Sequence, residues 1–428
     1  MTLVGIAFAM IVVFVVLLMT RRLSALTALI LVPIAFGLMA GFGTALGAMV
    51  LDAMRTLAPT AVMLIFAMLY FMVMTDAGMF DPLANGIVRA VGGDPLKIFI
   101  GTVALGFLVA LDGDGATVYM IVLSALLPLY NRLGLSIPMV ATLLLHCTGL
   151  GNMLPWGGPT ARAAVSMKAE MSDVFGPLIV PLLVCVAWTF VLATIFGRME
   201  RKRIGIVEVI QPEAIESATI PLRTPRLVFN WLLTVTLIGF LIAAILPMPL
   251  VFMMAAAIAL VVNFPSLKAQ TERLAAHAPA ILAVASLIFA ASVFTGVLSG
   301  TGMAQAMAST IVQVIPQSVG PYLAVVTALI SIPVTWVVSN DVFYFGMLPV
   351  LAEAAARYGI TPAEMARASL VGQPVHILSP LVASTYLLVG MLNLDYAKTQ
   401  RFTLPFAALT CVVMLAAALL TGVIPLAR

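Results

Sequence analysis

The chain has 428 residues, 63% of them hydrophobic and 9% charged, with a formal net charge of +4. Soluble domains carry about 25% charged residues, so a mean hydropathy of +1.18 excludes that class and predicts an all-α polytopic membrane protein. The basic residues lie in short loops rather than on one face, which excludes nucleic acid as the expected partner and leaves membrane lipid as the surroundings.

The first apolar run, 2–20, is followed rather than preceded by charge, at Arg21 and Arg22. That order predicts an uncleaved first span whose C-terminal end faces the cytoplasm. Further spans are predicted at 23–41 and 58–79. The next apolar stretch, 95–131, is interrupted by Leu111-Asp-Gly-Asp-Gly-Ala-Thr117, with no other charge between Lys97 and Arg132. A charged side chain costs on the order of 2.5–3.5 kcal/mol at the centre of a membrane helix, so Asp112 and Asp114 mark a candidate site by default. Neither arm of the stretch reads as a full span, which predicts a re-entrant hairpin with the aspartates at its tip. In 138–168, Gly149, Gly151, Pro155, Gly157, Gly158 and Pro159 predict a helix broken at depth.

A span at 173–197 leads to the longest polar segment, Arg198–Arg226, which divides two similar halves. The boundaries are an N-terminal repeat at 1–200, a cytoplasmic linker at 201–226 and a C-terminal repeat at 227–428. The second half has spans at 227–246, 249–264 and 278–300. A second hairpin at 320–357 carries Ser339-Asn340-Asp341 at its tip. A second broken helix at 362–390 contains Gly372-Gln-Pro-Val-His376-Ile-Leu-Ser379-Pro380, and a last span covers 403–425. Cys147, Cys185 and Cys411 all fall in apolar segments and read as packed thiols, neither a disulfide framework nor a metal cluster.

With both stretches treated as hairpins, most arginines and lysines fall on the cytoplasmic side and both termini outside. Each half then has five membrane spans plus one re-entrant hairpin, an odd number of crossings, so the two repeats have inverted topology. Inverted repeats with broken helices at the midplane are the architecture of secondary transporters. No phosphate loop, HExxH or nucleophile elbow is present, which argues against an enzyme.

Four elements are expected to form the site: the two tips and the two helix breaks. Substrate contacts are expected from Gly115, Thr117, Asn152, Gly157, Gly158, Thr160, Arg162, Ser339, Asn340 and Ser379. Asp112, Asp114, Asp341 and His376 are candidates for holding a metal or a proton. Half-helix N-termini suit carboxylate groups, and aspartate oxygens suit a hard cation. A free polycarboxylate would be repelled by these aspartates, so the cargo needs a bound cation, protons on the carboxylates, or both. Mg2+ and Ca2+ remain open, as does the division of roles between Asp112 and Asp114. Capping is the alternative for the tip aspartates, packing for His376, and reaching toward the interface for Arg162.

Asp112-Gly-Asp-Gly-Ala-Thr-Val-Tyr-Met120, Leu127-Pro-Leu-Tyr130, Gly151-Asn-Met-Leu-Pro-Trp-Gly-Gly-Pro-Thr-Ala-Arg162 and Ser379-Pro-Leu-Val382 resemble the citrate–divalent-metal–proton symporter family (CitMHS) of the ion transporter superfamily. The resemblance runs over nearly the whole chain. It implies proton-coupled symport of a citrate–metal complex in a bacterial inner membrane, with no permanently bound cofactor. It further implies a homodimer in which a transport domain slides against scaffold helices as an elevator. Sodium-coupled relatives place Ser-Asn-Thr at both tips. The departure here, to Asp112-Gly-Asp-Gly and Ser339-Asn-Asp341, disfavours sodium. A proton symporter for another organic acid, dicarboxylate or gluconate-like, and a cation–proton antiporter are the alternatives.

Overall fold

A computed structural model describes residues 2–20, 22–82, 86–87, 90, 93–113, 115–206, 224–243, 245–314 and 318–428. Those residues are all-helical, as their composition predicts: hydrocarbon offers no water to peptide groups, so each must pair within its own segment. The first half runs α1 (Leu3–Met19), α2 (Ala25–Met39), α3 (Ala45–Asp76), α4 (Pro95–Val109), α5 (Gly115–Leu133), α6 (Ile137–Gly151), α7 (Gly158–Met167) and α8 (Met171–Ile204). The second runs α9 (Thr224–Ala243), α10 (Met248–Asn263), α11 (Leu267–Gly300), α12 (Met303–Val314), α13 (Leu323–Val337), α14 (Leu348–Ala356), α15 (Pro362–Ser369), α16 (Gln373–His376), α17 (Ala383–Met391) and α18 (Tyr396–Leu420). Each half contains two helices, a long proline-bearing helix, a pair joined by a turn, a broken helix and a long closing helix.

Among the described residues six helices are long and apolar enough to cross a membrane: α3, α5, α8, α11, the run Gly320–Val337 that includes α13, and α18. The turn-linked pairs are unequal. α5 and the 18-residue run Gly320–Val337 reach that length, whereas α4 and α14, at 15 and 9 residues, fall short of the roughly 20 that span hydrocarbon.

Two helices differ from the hydropathy reading. α3 and α11 begin at Ala45 and Leu267 rather than near 58 and 278, and Pro59 and Pro279 lie inside them instead of opening them. Asp52, Arg55, Lys268 and Arg273 end the apolar run but not the helix. The two helices pack closely on each other, which lets them tolerate the lost proline bond. Gly296 and Gly300 of α11 admit Met49 of α3, whose carbonyl oxygen would lie 2.8 Å from a Cβ at position 296. At the polar ends of this pair, Asp76 accepts from His277 at 2.8 Å and from Arg273 at 3.3 Å.

Tertiary contacts sort the helices into two sets that cut across the halves. The first comprises α1, α2, α3, α9, α10 and α11; the second comprises α4 to α8 with α13 to α18. α12 bridges α1 and α14, and α7 touches α3 and α11 from within the second set. Buried polar pairs tie helices together, as is common where no water competes. Asn230 and Asn263 exchange amide hydrogen bonds at 2.9 and 3.0 Å, and Thr142 meets Thr403 at 2.8 Å. On α8, Val180, Leu183, Val184, Val191 and Ile195 form an exposed apolar stripe suited to lipid. All three cysteines are free and buried.

Candidate functional site

The first tip begins with a tight turn, Ala110–Asp112, and reverses at Gly113, whose φ of +78° favours glycine. Asp114 lies outside the described residues, and Asp112 is described through its backbone only. The tip is fastened to the first helix break. The Trp156 indole donates to the Leu111 carbonyl at 2.9 Å, and Gly151 admits Ala110, whose Cβ would be 2.7 Å from one at position 151. Gly115 opens α5 against Thr148 of α6 and Ser384 of α17. Thr117 follows in the first turn of α5, half-buried.

The first break spans 152–157. Asn152 ends α6 half-buried, and its side chain makes no hydrogen bond to any described residue. The chain doubles back so tightly that a Cβ on Gly157 would stand 1.9 Å from the Asn152 carbonyl oxygen. Thr160 is buried and donates to the Met153 carbonyl at 2.9 Å, so its hydroxyl holds the unwound loop. Gly157 caps α7 and Pro159 lies in its first turn, where free amides give partial positive charge.

Arg162 leaves α7 one turn later and folds back toward Gly158, as helical side chains lean toward the N-terminus. A Cβ at 158 would meet its Nη1 at 2.8 Å. Its Nε donates to Asp341 Oδ1 at 2.7 Å, with side-chain exposures of 24% and 17%. This ion pair joins the first helix break to the second tip and settles where Arg162 points. Beside it lies a cavity of about 240 Å³ lined by Gly158, Ala161, Arg162, Val165, Leu287 and Phe345, among others.

At the second tip Ser339 accepts from the Val342 amide at 3.3 Å, and a π-helical turn, Val342–Met347, follows. Such turns are frequent at functional sites. Asn340 accepts at 3.2 Å from Gln373, which also donates to the Tyr344 hydroxyl at 2.8 Å. His376 donates from Nδ1 to the Thr335 carbonyl at 2.5 Å, since a carbonyl can only accept, leaving Nε2 as an acceptor. Ser379 is buried and accepts from the Leu381 amide at 3.3 Å.

The last turn of α6, just before the first break, touches the second break: a Cβ on Gly149 would lie 3.5 Å from the Pro374 Cα. Two tips and two breaks therefore meet in one region. Gln373, Tyr344 and Trp156 hold it together and were not singled out from the sequence. An amide between Gly372 and Pro374 in an apolar span was the available signal for Gln373. Among the described residues no three His, Cys, Asp or Glu side chains gather as a metal cage.

Comparison with known proteins supplies the family context. Residues 1–372 match the model of the family described as citrate transporter (CitMHS). A Bacillus subtilis (strain 168) protein named citrate transporter is 50% identical over 97% of this chain and 98% of its own length. A second, named Mg(2+)/citrate complex secondary transporter, is 45% identical over 97% and 98%. The Alcanivorax borkumensis YdaH transporter superposes with a TM-score of 0.56 at 14% identity, covering 89% of each chain. MtrF of Neisseria gonorrhoeae gives 0.52 at 12% identity, covering 85% and 82%. At such identity these two structures speak to the fold alone.

Proposed function

The chain belongs to the citrate transporter family, and from that premise we propose that it carries citrate, complexed with Mg2+ or Ca2+, in symport with protons across a bacterial inner membrane. The observation that carries this reading is the Arg162–Asp341 pair where four irregular elements meet. It offers one charge of each sign, and a metal–carboxylate complex presents both in return. Free citrate would bring several negative charges toward Asp341, and toward Asp112 and Asp114 of the other tip. The divalent ion offsets that repulsion and has oxygen ligands to gain. Asn152, with an unused side-chain amide, and the amides of α7 suit the remaining carboxylate oxygens. Asp341 and His376 are the groups we assign to proton handling, beside the aspartates of the first tip.

Movement is proposed as an elevator. The helix set around α3 and α11 would serve as scaffold within a homodimer, and the set holding both tips and both breaks would slide against it. We read the halves as inverted repeats, with each turn-linked pair entering and leaving on one face.

Purified protein in proteoliposomes tests the reading. Citrate uptake should rise when Mg2+ or Ca2+ is added and collapse with a protonophore. Metal-independent uptake would instead assign another organic acid as cargo, and cation-driven proton movement without an organic anion would assign antiport.

A further inference from the structure

Arg162 and Asp341 come from opposite halves of the chain, and each is the other's only ionic partner among the described residues. A guanidinium has five N–H donors, and Asp341 takes only Nε. Arg162 lines the small cavity, whose other walls are apolar apart from the Gly158 backbone, while Asp341 meets the guanidinium from outside that lining. Asp341 uses Oδ1 and makes no hydrogen bond through Oδ2 to any described residue. Each partner therefore keeps an unused face, and the two faces have opposite demands: a carboxylate for Arg162, a cation for Asp341. The cavity lies below the roughly 300–1,000 Å³ of sites for drug-sized ligands, a size suited to a compact organic acid.

We infer that loading is an exchange of partners: a substrate carboxylate takes Arg162 while Asp341 passes to the metal ion of the same complex. The inference rests on the proposed citrate–metal cargo and adds the residues that make the two parts of that cargo inseparable. A carboxylate arriving alone would leave two anions against one guanidinium at membrane depth. A metal ion arriving alone would draw Asp341 away and strand Arg162. Removing one member of a part-buried ion pair is unfavourable, less so than for a fully buried one, so either partial loading is penalised and the full complex is not. Mg2+ suits the arrangement, since it keeps several waters and needs only one or two carboxylates besides its ligand. The exchange also explains why no cage of protein carboxylates is required around Asp341: the cargo brings its own oxygens.

The test is equilibrium binding of radiolabelled citrate to the purified full-length protein, with and without Mg2+. Wild-type protein should bind citrate about a hundredfold more tightly with Mg2+, below the cost of stranding one charge of a fully buried pair because this pair is part-exposed. Asp341→Asn keeps the size and a hydrogen-bond acceptor but removes the charge that needs the metal. Its Mg2+ dependence should shrink to about tenfold or less, partly through tighter binding of metal-free citrate. Arg162→Gln should weaken citrate at least about a hundredfold under both conditions. Should that variant fail to fold, the neutral double variant Arg162→Gln/Asp341→Asn carries the same measurement and should show weak, Mg2+-independent binding. Unchanged Mg2+ dependence in Asp341→Asn overturns the exchange while leaving the cargo intact. Wild-type protein that ignores Mg2+ overturns the cargo reading itself, so the two failures are told apart.

Discussion

Gly157 and Gly158 are adjacent, yet a methyl group at each would fail for different reasons. At 157 it would strike the Asn152 carbonyl, which is backbone and has nowhere to go. Gly157→Ala should therefore cost about 1–3 kcal/mol or more, seen as a lower unfolding temperature in detergent. At 158 it would meet the mobile end of Arg162, so Gly158→Ala should fold normally. It should displace the guanidinium from Asp341 and weaken citrate–metal binding about tenfold, the scale of one charge-assisted hydrogen bond. The Asn230–Asn263 pair gives a contrasting case between two neutral amides. Asn230→Leu strands a buried amide and should destabilise by about 1 kcal/mol. Asn230→Leu/Asn263→Leu should recover part of that loss in the same unfolding assay, because neither polar group is left unpaired.

Elements reveal what the chain shows in one dimension and what it hides. The tips and breaks were legible because glycine, proline and acidic residues punctuate otherwise apolar sequence, and no ordinary span tolerates that. The lengths of α3 and α11 were not. Hydropathy sees Asp52 and Lys268 as the end of a span, whereas the helix continues past both with their side chains exposed, because a helix satisfies its own backbone outside lipid as well as within it. The pairing of Arg162 with Asp341 was equally hidden, since 179 positions separate them and nothing local couples the two. Trp156 lay in a recognisable run, but its task depends on where the first tip arrives. Trp156→Phe removes the donor to the Leu111 carbonyl while keeping a ring against Phe71 and Phe252. Stability should fall by about 1 kcal/mol, and citrate uptake should slow because the tip is held less firmly; an unchanged initial uptake rate would remove Trp156 from that role.

Across the whole molecule the two halves are interleaved rather than stacked, since α3 packs on α11 and α8 on α18. Neither half could bury its own surface alone, so separate expression of residues 1–200 should not yield a stable product. The proposed sidedness is open to a direct test, because the three native thiols are buried and should resist a membrane-impermeant maleimide. Ile206→Cys should then react only from the cytoplasm and Ala427→Cys only from outside; labelling of both from one side would overturn the topology. A different consequence follows from the ring of Trp156, which sits 4.5 Å from Phe71 with its N–H on the first tip. Indole emission shifts when that hydrogen bond or that stacking changes. The chain has four tryptophans, and Trp188 and Trp231 are engaged elsewhere, with Thr410 and Phe80. Replacing these two and Trp336 with phenylalanine would leave Trp156 as the one indole of a transporter whose own fluorescence reports, without any dye, the moment its cargo arrives.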